Sequence, residues 1–155
     1  MADSRDKGMR AEYAVRDLLR KFTGLQWERV PGSGGFGKSH GLKGDVYLPP
    51  NTGTLSKFCI EVKHYADDVI ASKLLNPTVS QLEKFWEQTV RESGEMSAKP
   101  MLIFKKDRGK WICAMETHET ELQPVMVIFK EKMDGIGLYL FDDVVKLGKE
   151  FFVKC

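Results

Sequence analysis

Apolar and polar residues change their period several times along the chain, and each change predicts an element. Over residues 7–22 the apolar positions Ala11, Val15, Leu18, Leu19 and Phe22 recur every three or four residues, the spacing of one helical face. Residues 25–30 read as a short strand. The stretch PGSGGFGKSHGLKG that follows is too rich in glycine for either element and predicts a loop. Residues 45–48 and 57–63 then predict two strands, turned by PPNTG. Leu82, Phe85, Trp86 and Val90 return to helical spacing, with capping patterns at Thr78-x-x-Gln81 and Ser80-x-x-Glu83 and a stop at Gly94. Four more strands are predicted over 100–104, 111–115, 125–129 and 137–141, the first two joined by the basic turn KKDRGK, and a last helix over 142–149. The order α-β-β-β-α-β-β-(β-β)-α predicts an α/β fold, a mixed central β-sheet flanked by helices.

The two strands around PPNTG carry an unusual asymmetry. Alternation sends Phe58, Ile60 and Val62 to one side and Cys59, Glu61 and Lys63 to the other, while Val46 and Leu48 leave Asp45 and Tyr47 opposite them. If the strands pair, two carboxylates and an ammonium converge beside an apolar face.

Composition narrows the classes. With 155 residues, 42% hydrophobic and 10% aromatic, the chain predicts one domain over 1–155. No apolar run approaches the roughly 18 residues of a membrane span, and MADSRDKGMRAEY lacks the apolar core of a signal peptide. A cytoplasmic protein with no membrane partner is expected. Cys59, Cys113 and Cys155 form no CxxC pair, and His40, His64 and His118 are widely scattered, which argues against a disulfide framework or a soft-metal site. The net charge of +2 is unevenly spread: residues 1–44 hold nine Lys or Arg against five Asp or Glu. An anionic partner near this segment is plausible, as is an ordinary solvated helix face.

Residues 32–39, GSGGFGKS, match the phosphate-loop pattern G-x-x-x-x-G-K-[ST]. That chemistry needs the loop to open a helix whose N-terminus faces the phosphates. Here the loop runs into a predicted strand, and the apolar run VMVIF ends in Lys130 where an Asp would be needed. No nucleotide cofactor is expected. Lys38, His40 and Lys43 in a glycine loop, with Lys7 and Arg10 on the first helix, suit contact with a nucleic-acid backbone, although a plain surface loop would read the same way.

Asp45 followed by Glu61-x-Lys63 is the outline of a PD-(D/E)xK metal-dependent nuclease. Two carboxylates offer hard oxygen ligands to Mg2+ or Mn2+, and a lysine can activate water and offset charge on the phosphorane-like transition state. The same residues could instead form an exposed salt bridge of little energetic consequence. Glu12 shares the helical face of Val15 and Leu19, where an unpaired carboxylate is costly. A metal cluster would satisfy it, and so would a position at the rim of the stripe.

Lys7-Gly8-Met9-Arg10-Ala11-Glu12, the Ser33-Gly34 loop, Asp45, Glu61-Val62-Lys63 and Gln81, in this order and spacing over residues 5–115, resemble the archaeal-type Holliday-junction resolvases and their phage-borne relatives. The resemblance implies a restriction-endonuclease-like core, a homodimer, and cleavage of four-way DNA junctions by phosphodiester hydrolysis. It implies catalytic roles for Glu12, Ser33, Asp45, Glu61, Lys63 and Gln81. Asp45, Glu61, the Val62 carbonyl and Glu12 would hold Mg2+, and Lys7, Arg10, Ser33, Lys38, His40 and Lys43 would meet DNA. Gly44 departs from the proline usual before the Asp, PPNTGTLS lengthens the hairpin, and residues 116–155 have no counterpart. The alternatives are another PD-(D/E)xK nuclease acting on duplex or damaged DNA, and a nucleic-acid-binding module that cuts nothing. For the dimer surface, the apolar stretches 125–129 and 137–141 are the candidates.

Overall fold

The computed structural model describes residues 4–31, 43–65 and 81–154. Helix α1 (Ser4–Thr23) carries the expected stripe, with Ala11, Val15 and Leu19 buried. Each fully buried Val or Leu of such a stripe contributes about 1.5–3 kcal/mol. The helix ends at Gly24, whose φ of 72° suits the left-handed cap and whose N–H donates to the Arg20 carbonyl at 3.0 Å. The Thr23 hydroxyl donates to the Leu19 carbonyl and accepts from Trp27 Nε1, so the chain folds back over the helix end with Trp27 fully buried.

Strands β1 (Glu28–Arg29), β2 (Val46–Tyr47) and β3 (Phe58–Tyr65) form an antiparallel meander. Helix α2 (Gln81–Glu95) leads to β4 (Lys99–Lys106), which pairs parallel with β3. Strands β5 (Ile112–Glu116), β6 (Met126–Ile128) and β7 (Ile136–Leu140) add three antiparallel neighbours, giving a seven-stranded mixed sheet in the order β1-β2-β3-β4-β5-β7-β6. This is the mixed sheet with flanking helices that the pattern predicts.

Each face of the sheet has its own core. Phe58, Ile60, Val62, Met101 and Ile103 pack with α1 and the C-terminal helices, and Leu102, Phe104, Ala114 and Leu138 pack with Leu82 and Trp86 of α2. Because both faces are covered, β4 is apolar at consecutive positions instead of alternating.

Three expectations need correction. The single last helix over 142–149 is two short helices, α3 (Phe141–Val145) and α4 (Lys149–Phe152). Gly148, with φ 80°, lies in a left-handed conformation that a continuous helix cannot contain. The stretch 137–141 is no free surface, since β7 lies between β5 and β6 and Leu138, Tyr139 and Phe141 are buried. The strand expected over 25–30 is reduced to two residues, because Trp27 is drawn under α1.

Candidate active site

The site grows from the place where β2 and β3 part. Asp45 N–H donates to the Ile60 carbonyl at 2.7 Å, and one step further the Asp45 side chain takes over from the backbone: Oδ2 accepts from the Val62 N–H at 2.7 Å. The carboxylate is thereby pinned to the strand that carries Glu61 and Lys63. Gly44 makes this approach possible. Its φ is +82°, and a Cβ there would stand 2.8 Å from the Ile60 carbonyl and 3.2 Å from Cys59 Sγ. Proline, restricted to φ near −65°, cannot adopt this conformation, which gives the departure from the usual Pro-Asp a backbone reason.

Glu61 and Lys63 occupy the face of β3 turned to α2, opposite the packed Phe58, Ile60 and Val62. Glu61 is 2% exposed. Lys63 Nζ lies 4.9 Å from the centre of the Phe85 ring on α2, a cation–π contact that holds the ammonium in place. Gln81 sits one turn before Phe85, exposed at the start of α2 and on the same helical face.

Glu12 arrives from α1 on the other side of the sheet and meets Asp45 at its margin. Arg29 Nε donates to Glu12 Oε1 at 2.6 Å, with both side chains only 17% exposed. Burial, followed by the Asp45 charge, pushes the Glu12 carboxyl up to about 7, against the opposing pull of Arg29 and Lys63. Burial also raises Asp45, while the Val62 N–H, Lys63, Arg29 and a hydrogen bond with Glu12 work the other way. Two crowded acids whose carboxyls are both raised, with the Lys63 charge opposing the shift in each, have the electrostatics of a cation site.

Two members of this cluster carry no sequence signal that periodicity could find. Arg29 lies in a two-residue strand, too short to show alternation. Glu92 lies on α2, seven residues after Phe85 and so on the same side of the helix. Burial raises its carboxyl and the Asp45 charge raises it further, while Lys43 lowers it. Lys43 itself pairs with Glu95 at 3.1 Å. The residues expected to meet DNA divide accordingly: Lys7 is engaged with Asp107 at 2.6 Å, Arg10 is exposed on α1, and Ser33, Lys38 and His40 lie outside the described residues, as does the phosphate-loop pattern.

The donor set fits a hard divalent ion. Asp45, Glu61 and the Val62 carbonyl offer oxygens, with Glu12 beside them, and the raised carboxyls gain most from an added positive charge. A second group lies at the end of β5, where ligand atoms of Glu116, His118 and Glu119 fall within 4.8 Å of one another. That second group is already engaged internally: Glu119 pairs with Lys57 at 2.9 Å and with His118 at 3.0 Å.

Comparison with known proteins agrees with this chemistry. The chain is 55% identical over 143 residues to "Protein D14" of Escherichia phage T5, a match covering 88% of this chain and 89% of that protein. No solved structure matches it. A family model described as "Phage putative PDDEXK endonuclease" matches residues 3–135. With most of its length matched, the chain belongs to this phage PDDEXK endonuclease family.

Proposed function

We propose that the protein is a Mg2+-dependent, structure-selective endodeoxyribonuclease that hydrolyses phosphodiester bonds at four-way DNA junctions, acting as a homodimer. The observation that carries this reading beyond the family is Glu12 of the first helix beside Asp45, with Asp45 pinned to the Val62 N–H. An acid from helix one next to the Asp is what the resemblance to junction resolvases leads one to look for.

In this reading Asp45, Glu61 and the Val62 carbonyl would hold the metal, with Glu12 beside them. The ion supplies Lewis-acid stabilisation of the phosphoryl oxygens and a more acidic water. Lys63, steadied on Phe85, would orient the attacking water and offset charge at phosphorus. Arg29 keeps Glu12 aimed at Asp45, a positioning role. Ser33 and Gln81 touch the substrate near the scissile bond. Arg10 on α1, together with Lys38, His40 and Lys43 of the glycine loop, meets flanking phosphates, and Lys7 supports that surface through Asp107.

A cleavage assay with Mg2+ comparing a four-way junction with linear duplex of the same arm sequence tests the proposal. Preferential nicking of the junction is the expected result. Equal cutting of both would replace it with a duplex nuclease on the same core, and metal-independent binding without cutting would replace it with a non-catalytic module.

A further inference from the structure

The sequence feature that the site does not use is the basic turn KKDRGK between β4 and β5. The parallel register His64↔Lys105 and Tyr65↔Lys106 sets this hairpin beside the end of β3, immediately past Lys63. Its acid is neutralised from outside the turn. Asp107 Oδ1 lies 2.6 Å from Lys7 Nζ and 2.9 Å from His64 Nε2, the latter misaligned for a hydrogen bond. Lys7 and Asp107 thus cancel, and the turn still carries Lys105, Arg108 and Lys110 just past Lys63 at the end of the sheet.

The backbone gives a second, independent indication. Gly109 N–H donates to the Lys106 carbonyl at 3.0 Å, closing a turn in which Arg108 is the third residue, with φ +64°. That is a position for glycine or asparagine, and another L-residue there is strained by about 1–2 kcal/mol. Solvation of a turn needs no such strain, because an asparagine would solvate it equally well. At Arg108 the strain falls on an exposed cation beside the site, which points to a task for that side chain, whereas at Ser97 it falls in the cap of a helix. Arg108 and Lys110 are exposed, and Lys105 Nζ lies 5.3 Å from the centre of the Trp111 ring.

We infer that the β4–β5 hairpin is a DNA-backbone clamp, its Arg108 and Lys110 contacting phosphates that flank the scissile bond, with Asp107 latching the hairpin to α1 and β3. This rests on the nuclease reading above. Cations spaced along a hairpin suit the regular charge spacing of a strand, and such contacts position DNA without reading its sequence.

The test uses the full chain and fluorescent junction and duplex DNA, with binding measured over a salt series in EDTA and cleavage measured in Mg2+. Arg108→Gly, Lys110→Ala and the double variant are compared with Ser97→Gly, which relieves a positive φ at the far end of the sheet and leaves binding unchanged. Each hairpin variant should bind several-fold more weakly, with the slope of log affinity against log salt flattened by about 0.9 per cation removed. Arg108→Gly should melt no lower than wild type, and its cleavage should recover at saturating DNA, a KM effect. Unchanged affinity and slope in both single variants would overturn the clamp while leaving the nuclease intact. A wild-type protein that neither binds nor cuts either DNA would remove the nuclease reading, and the clamp with it.

Discussion

Glu12 sets the pH behaviour of the metal-free protein. Its carboxyl is raised from 4.5 to about 7 by burial and by Asp45, so the folded chain retains a proton that the unfolded chain has released. A raised folded value contributes stability that is complete below pH 4.5 and is lost as pH climbs to about 7. Asp45 is raised as well and acts in the same direction. In EDTA the melting temperature should therefore fall between mildly acidic and neutral pH, and Glu12→Gln should flatten that fall. A melting temperature that rises across this window would contradict the proposed crowding. If Mg2+ binds as proposed, protons compete with it for the same carboxylates, and metal affinity measured by calorimetry should strengthen over the same range. Asp45→Asn or Glu61→Gln should abolish cleavage yet keep DNA affinity within a few-fold, because phosphate contacts supply most of it; a nicking assay that finds both variants active would remove their role. Gly44→Ala should cost about 1–3 kcal/mol in chemical denaturation, since it combines a positive φ with a clash at the Ile60 carbonyl. The same change should impair cutting by displacing Asp45.

At the scale of elements, legibility followed burial. Helices α1 and α2 were readable because each buries one stripe, and β3 because one face is packed and the other holds Glu61 and Lys63. The same alternation, read from the preceding strand, set Asp45 opposite the buried Val46. Arg29 and Glu92 were not readable: their contribution comes from contacts across elements that lie far apart in sequence, and a two-residue strand has no period to follow. The split of the last helix was not readable, because an Asp at its start marks a helix N-terminus and carries no sign of the positive φ that Gly148 adopts. A stability test belongs at this scale too. Helix α2 ends with Ala98 N–H donating to the Ser93 carbonyl at 2.9 Å and Ser97 at φ +54°, the glycine position of a helix cap. Ser97→Gly should stabilise the protein by about 0.5–1 kcal/mol, read as a higher denaturation midpoint at unchanged slope. A loss of stability would mean that the serine side chain contributes more than the backbone strain costs.

Among the described residues the proposed active site is a single cluster per chain, while resolving a four-way junction, the proposed substrate, takes two nicks in strands of like polarity. A single copy would have to dissociate and rebind between cuts. A two-fold dimer brings two copies of Asp45, Glu61 and Lys63 to a substrate of the same approximate symmetry, and two-fold dimers are the commonest assemblies. Among the described residues the sheet leaves an apolar margin for such pairing. Strand β6 is its last strand, and Val125, Met126 and Phe129 around it are 68%, 43% and 79% exposed. An unpaired edge with exposed apolar side chains tends to recruit another chain. The proposed dimer should therefore form through β6, keeping the two sites open to DNA. Phe129→Glu should convert it to a monomer in light scattering without lowering the melting temperature much, since so exposed a ring contributes little to the monomer core. In a cruciform plasmid the same variant should release singly nicked circles, where wild type linearises the plasmid within one binding event. A wild-type monomer at micromolar concentration, alone and on junction DNA, would count against the dimer, and a variant that still dimerises would move the interface away from β6.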